Sequence, residues 1–189
     1  MRAKHMPIHE LFLRKVINME HNQRRCGILI VGLGNVLLMD DGVGVHAIRE
    51  LQKNPPHDAC LAEVGTAVLR AVHVFEWAER IIAIDAVKAD GPPGTIYALD
   101  AKNGESRGHP VSLHELSLWG ALRFLPPGCP KPRLVILGVE PETIDYGLDL
   151  SATVQAALPQ VVQTVREVAD SWKRNPETWS LAELRGAIV

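Results

Sequence analysis

The sequence predicts an α/β protein built on an open, mainly parallel sheet. Short apolar runs, typical of strands buried on both faces, alternate along the chain with stretches of helical spacing. The runs predicted as parallel strands are Ile28–Val31, Ala59–Val64, Arg80–Ala86 and Arg133–Val139. With 189 residues, 47% hydrophobic and 22% charged, the chain is long enough for one domain with a full core.

The first predicted strand leads into a glycine turn, a pair of acids and a helix. Gly32-Leu33-Gly34-Asn35 ends the strand, Asp40 and Asp41 follow, and Gly42-Val43-Gly44-Val45 opens the helix. Sites in open α/β sheets lie beyond the carboxyl ends of the strands, so this segment would deliver Asp41 to that edge. A simpler interpretation is two solvated carboxylates near a helix start, where they suit the helix dipole. Dinucleotide binding is weakly supported, because Leu37 stands where the motif needs its third glycine.

Two further acids lie near the ends of predicted strands. Glu63 precedes Gly65-Thr66, and the simpler interpretation of this acid is a solvated strand end. Gly65-Thr66 turns the second strand into a helix, whose predicted apolar residues are Val68, Leu69, Val72 and Phe75. Asp85 ends the third strand between apolar neighbours, which favours a role at the site edge. A short strand at Thr95–Leu99 follows a brief turn, which allows an antiparallel strand at the edge of the sheet.

Two predicted helices complete the chain. Ser112 and Glu115 form a capping box, which places His114 in a first helical turn, where a lone histidine is more often a surface residue. Ser151 caps the last helix, and Pro159 is expected to kink or restart it. The apolar stripe of this helix consists of Val154, Leu158, Val161, Val165, Val168 and Trp172.

Composition argues against several classes of protein. A net charge of −2 without a dense basic patch argues against nucleic acid as a partner. Three cysteines without a CxxC pair argue against structural zinc and a disulfide framework, and they fit the cytoplasm. The longest apolar run, around residues 27–39, is too short to span a bilayer.

The segment Gly32–Leu51, GLGNVLLMDDGVGVHAIREL, resembles the opening motif of the nickel–iron hydrogenase maturation endopeptidases. This resemblance covers roughly residues 27–170. It implies an enzyme that removes the C-terminal tail of the hydrogenase large-subunit precursor, just after the His or Arg that follows the last Cys-x-x-Cys motif, once nickel is in place. Asp85 and His114 stand at positions where the family has an Asp and a His.

One part of the family pattern is altered in this chain. Where the family usually shows Asp-Gly-Gly-Thr, this chain has Glu63-Val64-Gly65-Thr66. The charge and the last two positions are kept, but the first glycine is lost. The resemblance implies that Glu63, Gly65 and Thr66 bind the substrate, with Glu63 in the place of the family's acid.

Asp41, Asp85 and His114 are the predicted catalytic and metal-binding residues. Two carboxylates and one imidazole suit a borderline divalent ion such as nickel or zinc, and three protein ligands leave positions open, as in catalytic sites. The ion is expected to be nickel supplied by the substrate, although other divalent ions could occupy the site. An aspartic-protease dyad of Asp41 and Asp85 would leave His114 unexplained. Asp40 is expected to serve its own helix start or to face solvent.

The sequence therefore predicts a peptidase with a three-layer α/β fold, in which helices cover both faces of a five-stranded, mostly parallel twisted sheet, as in phosphorylase/hydrolase-like folds. We expect a mobile or loosely packed extension over residues 1–26, one peptidase domain over 27–172 and a C-terminal extension over 173–189. The protein is expected to be a cytoplasmic monomer without a nucleic-acid or membrane partner. The alternatives are a peptidyl-tRNA hydrolase, whose chain also starts with Val-Gly-Leu-Gly-Asn, and a non-catalytic nickel-handling chaperone.

Overall fold

The structure is a computed structural model that describes residues 26–100, 118 and 120–175, with residue 100 by its backbone alone. The described part contains a five-stranded sheet in the order β2-β1-β3-β5-β4. Its strands are β1 Cys26–Leu33, β2 Ala59–Gly65, β3 Ala78–Ala86, β4 Ile96–Asp100 and β5 Arg133–Val139. Only β4 runs antiparallel to its neighbour, β5. The predicted mostly parallel sheet, with an antiparallel strand at its edge, is confirmed.

Three helices, α1 to α3, connect and follow these strands in the described part of the chain. A 3₁₀ turn at Met39–Gly42 leads directly into α1, Val43–Lys53. A second 3₁₀ turn at Val68–Ala71 leads into α2, Val72–Phe75, and the long α3 spans Ala152–Arg174. Residues 118 and 120–122 are also helical. Within this described part, no helix is both long and apolar enough to cross a membrane.

Each face of the sheet has its own hydrophobic core, so the fold has three layers. On one face, α1 and α3 pack against strand residues that include Ile28, Ile30 and Ile82. On the other face, α2 and Leu118 pack against residues that include Leu29. Because successive side chains of a strand point to opposite faces, the continuous apolar runs of the central strands supply both cores.

The last helix follows its predicted pattern in most respects. All six residues of the predicted apolar stripe are buried, and Ser151 caps the helix by accepting a hydrogen bond from Val154 N at 3.3 Å. The helix continues through Pro159, so the expectation that it restarts there is wrong. Pro159 is exposed, so water can reach the carbonyl of Gln155, which loses its helical partner.

The predicted helix after β2 is shorter and faces differently. It begins with the 3₁₀ turn, and α2 has only four residues. Leu69, expected on the apolar side, is 62% exposed, whereas Val68 and Ala71 are buried. A 3₁₀ turn has three residues per turn, so residues three positions apart lie on the same face. Val68 and Ala71 therefore share the buried face, and Leu69 lies on a different one.

Candidate active site

The glycines of the first motif let α1 begin directly against the ends of two strands. A Cβ placed on Gly44 would lie 2.2 Å from Ile84 O and 2.6 Å from Leu33 O. A Cβ on Gly32 would lie 2.2 Å from Gly44 O. These positions therefore accept only glycine without a shift of the backbone. The close approach sets the 3₁₀ turn and α1 at the carboxyl ends of β1 and β3.

Asp41 is held by the turn that follows β1. Gly34 has a φ of +98°, and a Cβ on it would lie 1.7 Å from Asp41 O, so the chain folds back tightly over this glycine. Asn35 N donates to Asp41 Oδ2 at 2.6 Å, and Asp41 is half-buried. The hydrogen bond fixes the direction of the carboxylate beside the glycine turn.

Asp85 lies one residue before the end of β3 and is fully buried. It pairs in register with Gly138 of β5, and its Oδ1 accepts a hydrogen bond from Ala86 N at 3.0 Å. The first turn of α1 lies against the peptide that joins Ile84 to Asp85, as the contact at Gly44 requires. The segments that carry Asp41 and Asp85 therefore meet at the carboxyl edge of the sheet, where α/β sites lie.

The third predicted ligand, His114, lies outside the described residues. Among the residues that are described, no group of three His, Cys, Asp or Glu side chains is arranged to hold a metal ion. The two described carboxylates are oxygen donors that suit a divalent ion. Shared ligation of one ion by Asp41, Asp85 and His114 stays a prediction.

The expectation that Asp40 serves its own helix start or faces solvent is wrong. Asp40 is fully buried, and its Oδ2 accepts hydrogen bonds from Glu142 N and Thr143 N, both at 2.9 Å. Its Oδ1 accepts from Ser151 N at 2.7 Å. Successive residues of a 3₁₀ turn project about 120° apart, so Asp40 and Asp41 face different neighbours. Asp40 clamps the loop that leads to α3, and this role has no local signal in the sequence.

An open cleft with a volume of about 290 Å³ lies between the turns that follow β1 and β2. The residues Glu63, Gly65 and Thr66, predicted to bind substrate, all lie on its wall. The other lining residues are Gly34, Asn35, Val36, Val45, Arg49, Val64 and Ala67. Val45 and Arg49 are four positions apart, so helical spacing places them on one face of α1, but only the fold shows that this face lines the cleft.

Glu63 is exposed near the end of β2, and two side chains of α1 contact its carboxylate. Arg49 Nε lies 3.3 Å from Glu63 Oε2, Gln52 Nε2 lies 3.4 Å from Glu63 Oε1, and the Glu63 side chain keeps 27% of its surface exposed. The Arg49 side chain is 49% exposed, so water screens this pair and it contributes at most about 1 kcal/mol to stability. The contacts orient the carboxylate on the cleft wall.

His46 connects α1 to the loop that Asp40 clamps. Burial is the main cause that lowers its pKa, followed by the charge of Arg49, while a hydrogen bond with the backbone of Leu148 opposes this shift. The charges of Asp149 and Glu63 also oppose the shift. Within the described part of the chain, its Nε2 is buried and has no hydrogen-bond partner. The neutral form of the imidazole is therefore favoured in the folded protein.

The sequence and the fold are both similar to those of one protein family. A family model described as hydrogenase maturation protease matches residues 45–168, which is more than half of the chain. The chain belongs to the hydrogenase maturation protease family. The hydrogenase 2 maturation protease of Escherichia coli K12 is 32% identical over 151 residues, covering 74% of this chain and 91% of that protein. The hydrogenase expression/formation protein HoxM of Cupriavidus necator is 28% identical over 158 residues, covering 79% and 77%.

Solved structures of this protease family share the fold. The [NiFe] hydrogenase maturation protease HybD from Thermococcus kodakarensis superposes with a TM-score of 0.66 at 27% identity, covering 76% of this chain and 99% of that one. The hydrogenase maturating endopeptidase HybD of Escherichia coli gives a TM-score of 0.65 at 25% identity, covering 78% and 93%. The family resemblance and the predicted fold are confirmed, and the peptidyl-tRNA hydrolase alternative is set aside.

Proposed function

We propose that this hydrogenase maturation protease removes the C-terminal tail of a nickel–iron hydrogenase large-subunit precursor after nickel insertion. The observation that carries the proposal is the open cleft, whose wall is formed by the Gly34–Val36 turn that holds Asp41 and by residues 63–67 at the end of β2. Such a cleft admits a short stretch of polypeptide beside the carboxylates at the sheet edge. Family membership supplies the class of reaction.

The tail is bound by Glu63, Gly65 and Thr66 in this proposal. Glu63 presents a carboxylate to the cleft, and a carboxylate favours a substrate with a basic residue, such as the His or Arg before the scissile bond. Gly65 has a φ of +59°, a left-handed conformation that glycine adopts at little cost, and it turns the chain along the cleft wall. Arg49 pairs with Glu63 in the free protein and would exchange places with the substrate's cation.

Asp41, Asp85 and His114 are the proposed catalytic residues, and the nickel they meet belongs to the precursor. An ion at this position supplies polarisation of the scissile carbonyl or a more acidic water. The glycine turn orients Asp41 through the Asn35 hydrogen bond, and β3 holds Asp85 in a buried position. Oxygen and nitrogen donors hold nickel less firmly than thiolates, so the precursor's cysteines would bring the ion to the protease.

We also propose that the protein acts as a cytoplasmic monomer. The sequence has three cysteines and no CxxC pair, which fits a reducing compartment. A monomer leaves the cleft open to a folded substrate. Sedimentation of the purified protein tests the oligomeric state.

The function is tested with purified precursor, loaded with nickel or free of it, and tail removal is followed by mass spectrometry. The wild type should cut the loaded form and leave the nickel-free form intact. Asp41→Asn, Asp85→Asn and His114→Ala should each leave the loaded precursor uncut while circular dichroism reports a folded protein. Asp58→Asn, an exposed acid that precedes β2 and lies outside the cleft, is the matched control and should cut normally.

Two results would contradict parts of this proposal. Equal cleavage of both precursor forms in the presence of a chelator would show that nickel is not the recognition element. A normal rate for any of the three site variants would remove that residue from the site. Binding of nickel and precursor without turnover would favour the nickel-handling chaperone.

A further inference from the structure

Four large apolar side chains are exposed close together at one end of the cleft. Leu37 is 57% exposed, Ile144 51%, Tyr146 89% and Leu148 66%. We refer to these four residues as the apolar lip. Single exposed apolar residues are ordinary, but a group of large ones on a compact domain typically marks an interaction site.

Backbone hydrogen bonds hold the two segments of the apolar lip together. Gly147 N donates to Leu37 O at 3.0 Å, and Met39 N donates to Gly147 O at 3.0 Å. Leu38 and Gly147 form a parallel bridge between these bonds. Leu37 therefore lies next to the segment that carries Ile144, Tyr146 and Leu148, and the four residues belong to one surface.

The apolar lip is held in place from beneath. Asp40 binds the backbone of Glu142 and Thr143 on one side of the segment and of Ser151 on the other. A surface that is already ordered loses little conformational entropy when a partner binds, so ordering it subtracts little from the binding free energy. This rigidity favours a docking function over a loop that is merely mobile.

The position and charge of the apolar lip indicate its partner. Gly34, Asn35 and Val36 line the cleft, and Leu37 follows them directly, so the lip begins where the cleft ends. Glu142, Asp145 and Asp149 lie among the apolar residues, are exposed, and form no ion pair with another described residue. The complementary partner surface is apolar and carries basic groups at its edge.

We propose that the apolar lip is the docking surface for the folded body of the precursor, whose tail then enters the cleft. This inference rests on the proposed function. A cleft of about 290 Å³ is no larger than a small-ligand pocket, so it contacts only a few residues of the tail. Selection of one protein among many with similar short sequences therefore needs a second contact surface, and the lip adjoins the cleft.

The test measures cleavage kinetics on the nickel-loaded precursor for the double variant Tyr146→Ser/Leu148→Ser. Both side chains are mostly exposed, so the folded structure should persist. KM should rise at least about tenfold, as for hot-spot residues of an interface, while kcat stays within about twofold because the cleft is unchanged. A rise in KM alone indicates docking, whereas damage to the catalytic residues would lower kcat.

Phe124→Ser is the matched control, because Phe124 is 70% exposed but lies in the connection that leads to β5. Cys129 belongs to the same connection, and its Sγ lies 3.7 Å from the carbonyl oxygen of Glu76. Glu76 lies two residues before the start of β3, so the connection runs at the amino edge of the sheet. This variant should keep the wild-type KM. An equal rise in KM for Phe124→Ser would overturn the proposal, because the effect would not be specific to the lip.

Other outcomes separate the docking surface from the proposed function. Normal KM for Tyr146→Ser/Leu148→Ser, with a wild type that cuts the precursor, would overturn the docking surface and leave the function standing. A wild type that does not cut the precursor would overturn both. A wild-type dimer that the double variant turns into a monomer without a change in KM would assign the lip to a second copy of this chain instead.

Discussion

Substitution of Asp40 by asparagine should destabilise the fold although it preserves the shape of the side chain. The carboxylate accepts three backbone hydrogen bonds, from Glu142, Thr143 and Ser151, at 2.7 to 2.9 Å. Asparagine keeps one oxygen acceptor and places an amino group against at least one of the backbone N–H donors. The strongest arrangement places the amide oxygen where Oδ2 accepts from Glu142 and Thr143, and the amino group then faces Ser151 N and loses that bond.

The magnitude follows from the number and environment of the lost bonds. A hydrogen bond to a charged group contributes about 1.5–3 kcal/mol. The bond to Ser151 is buried, so water does not reach its N–H after substitution and the upper value applies. Asp40→Asn should therefore lower the free energy of unfolding by about 3 kcal/mol, a large part of the 5–15 kcal/mol typical of a domain.

Urea unfolding, followed by tryptophan fluorescence, measures this change, since Trp172 is fully buried in the folded protein. The slope of the free energy against urea should stay the same, because the surface exposed on unfolding is unchanged. The control is Asp145→Asn, where the exposed carboxylate accepts one local bond from Tyr146 N at 2.7 Å and the change should be below about 0.5 kcal/mol. A loss below about 1 kcal/mol for Asp40→Asn would refute the clamp.

Three further predictions concern neighbouring residues. Gly44→Ala should cost more than about 3 kcal/mol in thermal unfolding, because its Cβ would lie 2.2 Å from Ile84 O, whereas Gly27→Ala, with no atom within 4 Å, should change little. Burial lowers the pKa of His46 below its ordinary value of 6.5, so just below that pH the unfolded chain binds more protons than the folded protein. The wild type should therefore lose stability as the pH falls below 6.5, and His46→Gln should lose less. Glu63→Gln should slow precursor cleavage while leaving the unfolding free energy within about 1 kcal/mol and metal binding unchanged; an unchanged rate would remove Glu63 from the substrate site.

The sheet could be predicted from the sequence because each strand is marked by residues close together in the chain. The central parallel strands are continuous apolar runs that end at glycines or acids, and Asp85 is polar where its neighbours are apolar. The glycine motif before α1 is likewise visible within a few residues of sequence, although the contacts that exclude a side chain at Gly44 include Ile84 O on β3. Such features appear within a few residues of sequence and need no knowledge of distant partners.

Other features could not be predicted because they depend on distant parts of the chain. Asp40 and Asp41 are adjacent acids, and only the fold shows that one binds the loop before α3 while the other binds its own turn. The pairing of Glu63 with Arg49 joins a strand to a helix. The sequence predicts Leu69 on the apolar face of an α-helix, but the chain forms a 3₁₀ turn there. Propensity and spacing do not distinguish these two conformations at a helix start.

The Asp40 clamp also sets the order in which the protein can become active during synthesis. Its partners follow it by 102, 103 and 111 residues, so the turn that carries Asp41 is fastened only after the ribosome has released Ser151. Contacts between distant residues form late, because closing a long loop costs chain entropy. A nascent chain that has completed all the strands up to β5 would still have an unfastened Met39–Gly42 turn. With Asp41 in its proposed catalytic role, proteolytic activity would begin only once the last helix has formed.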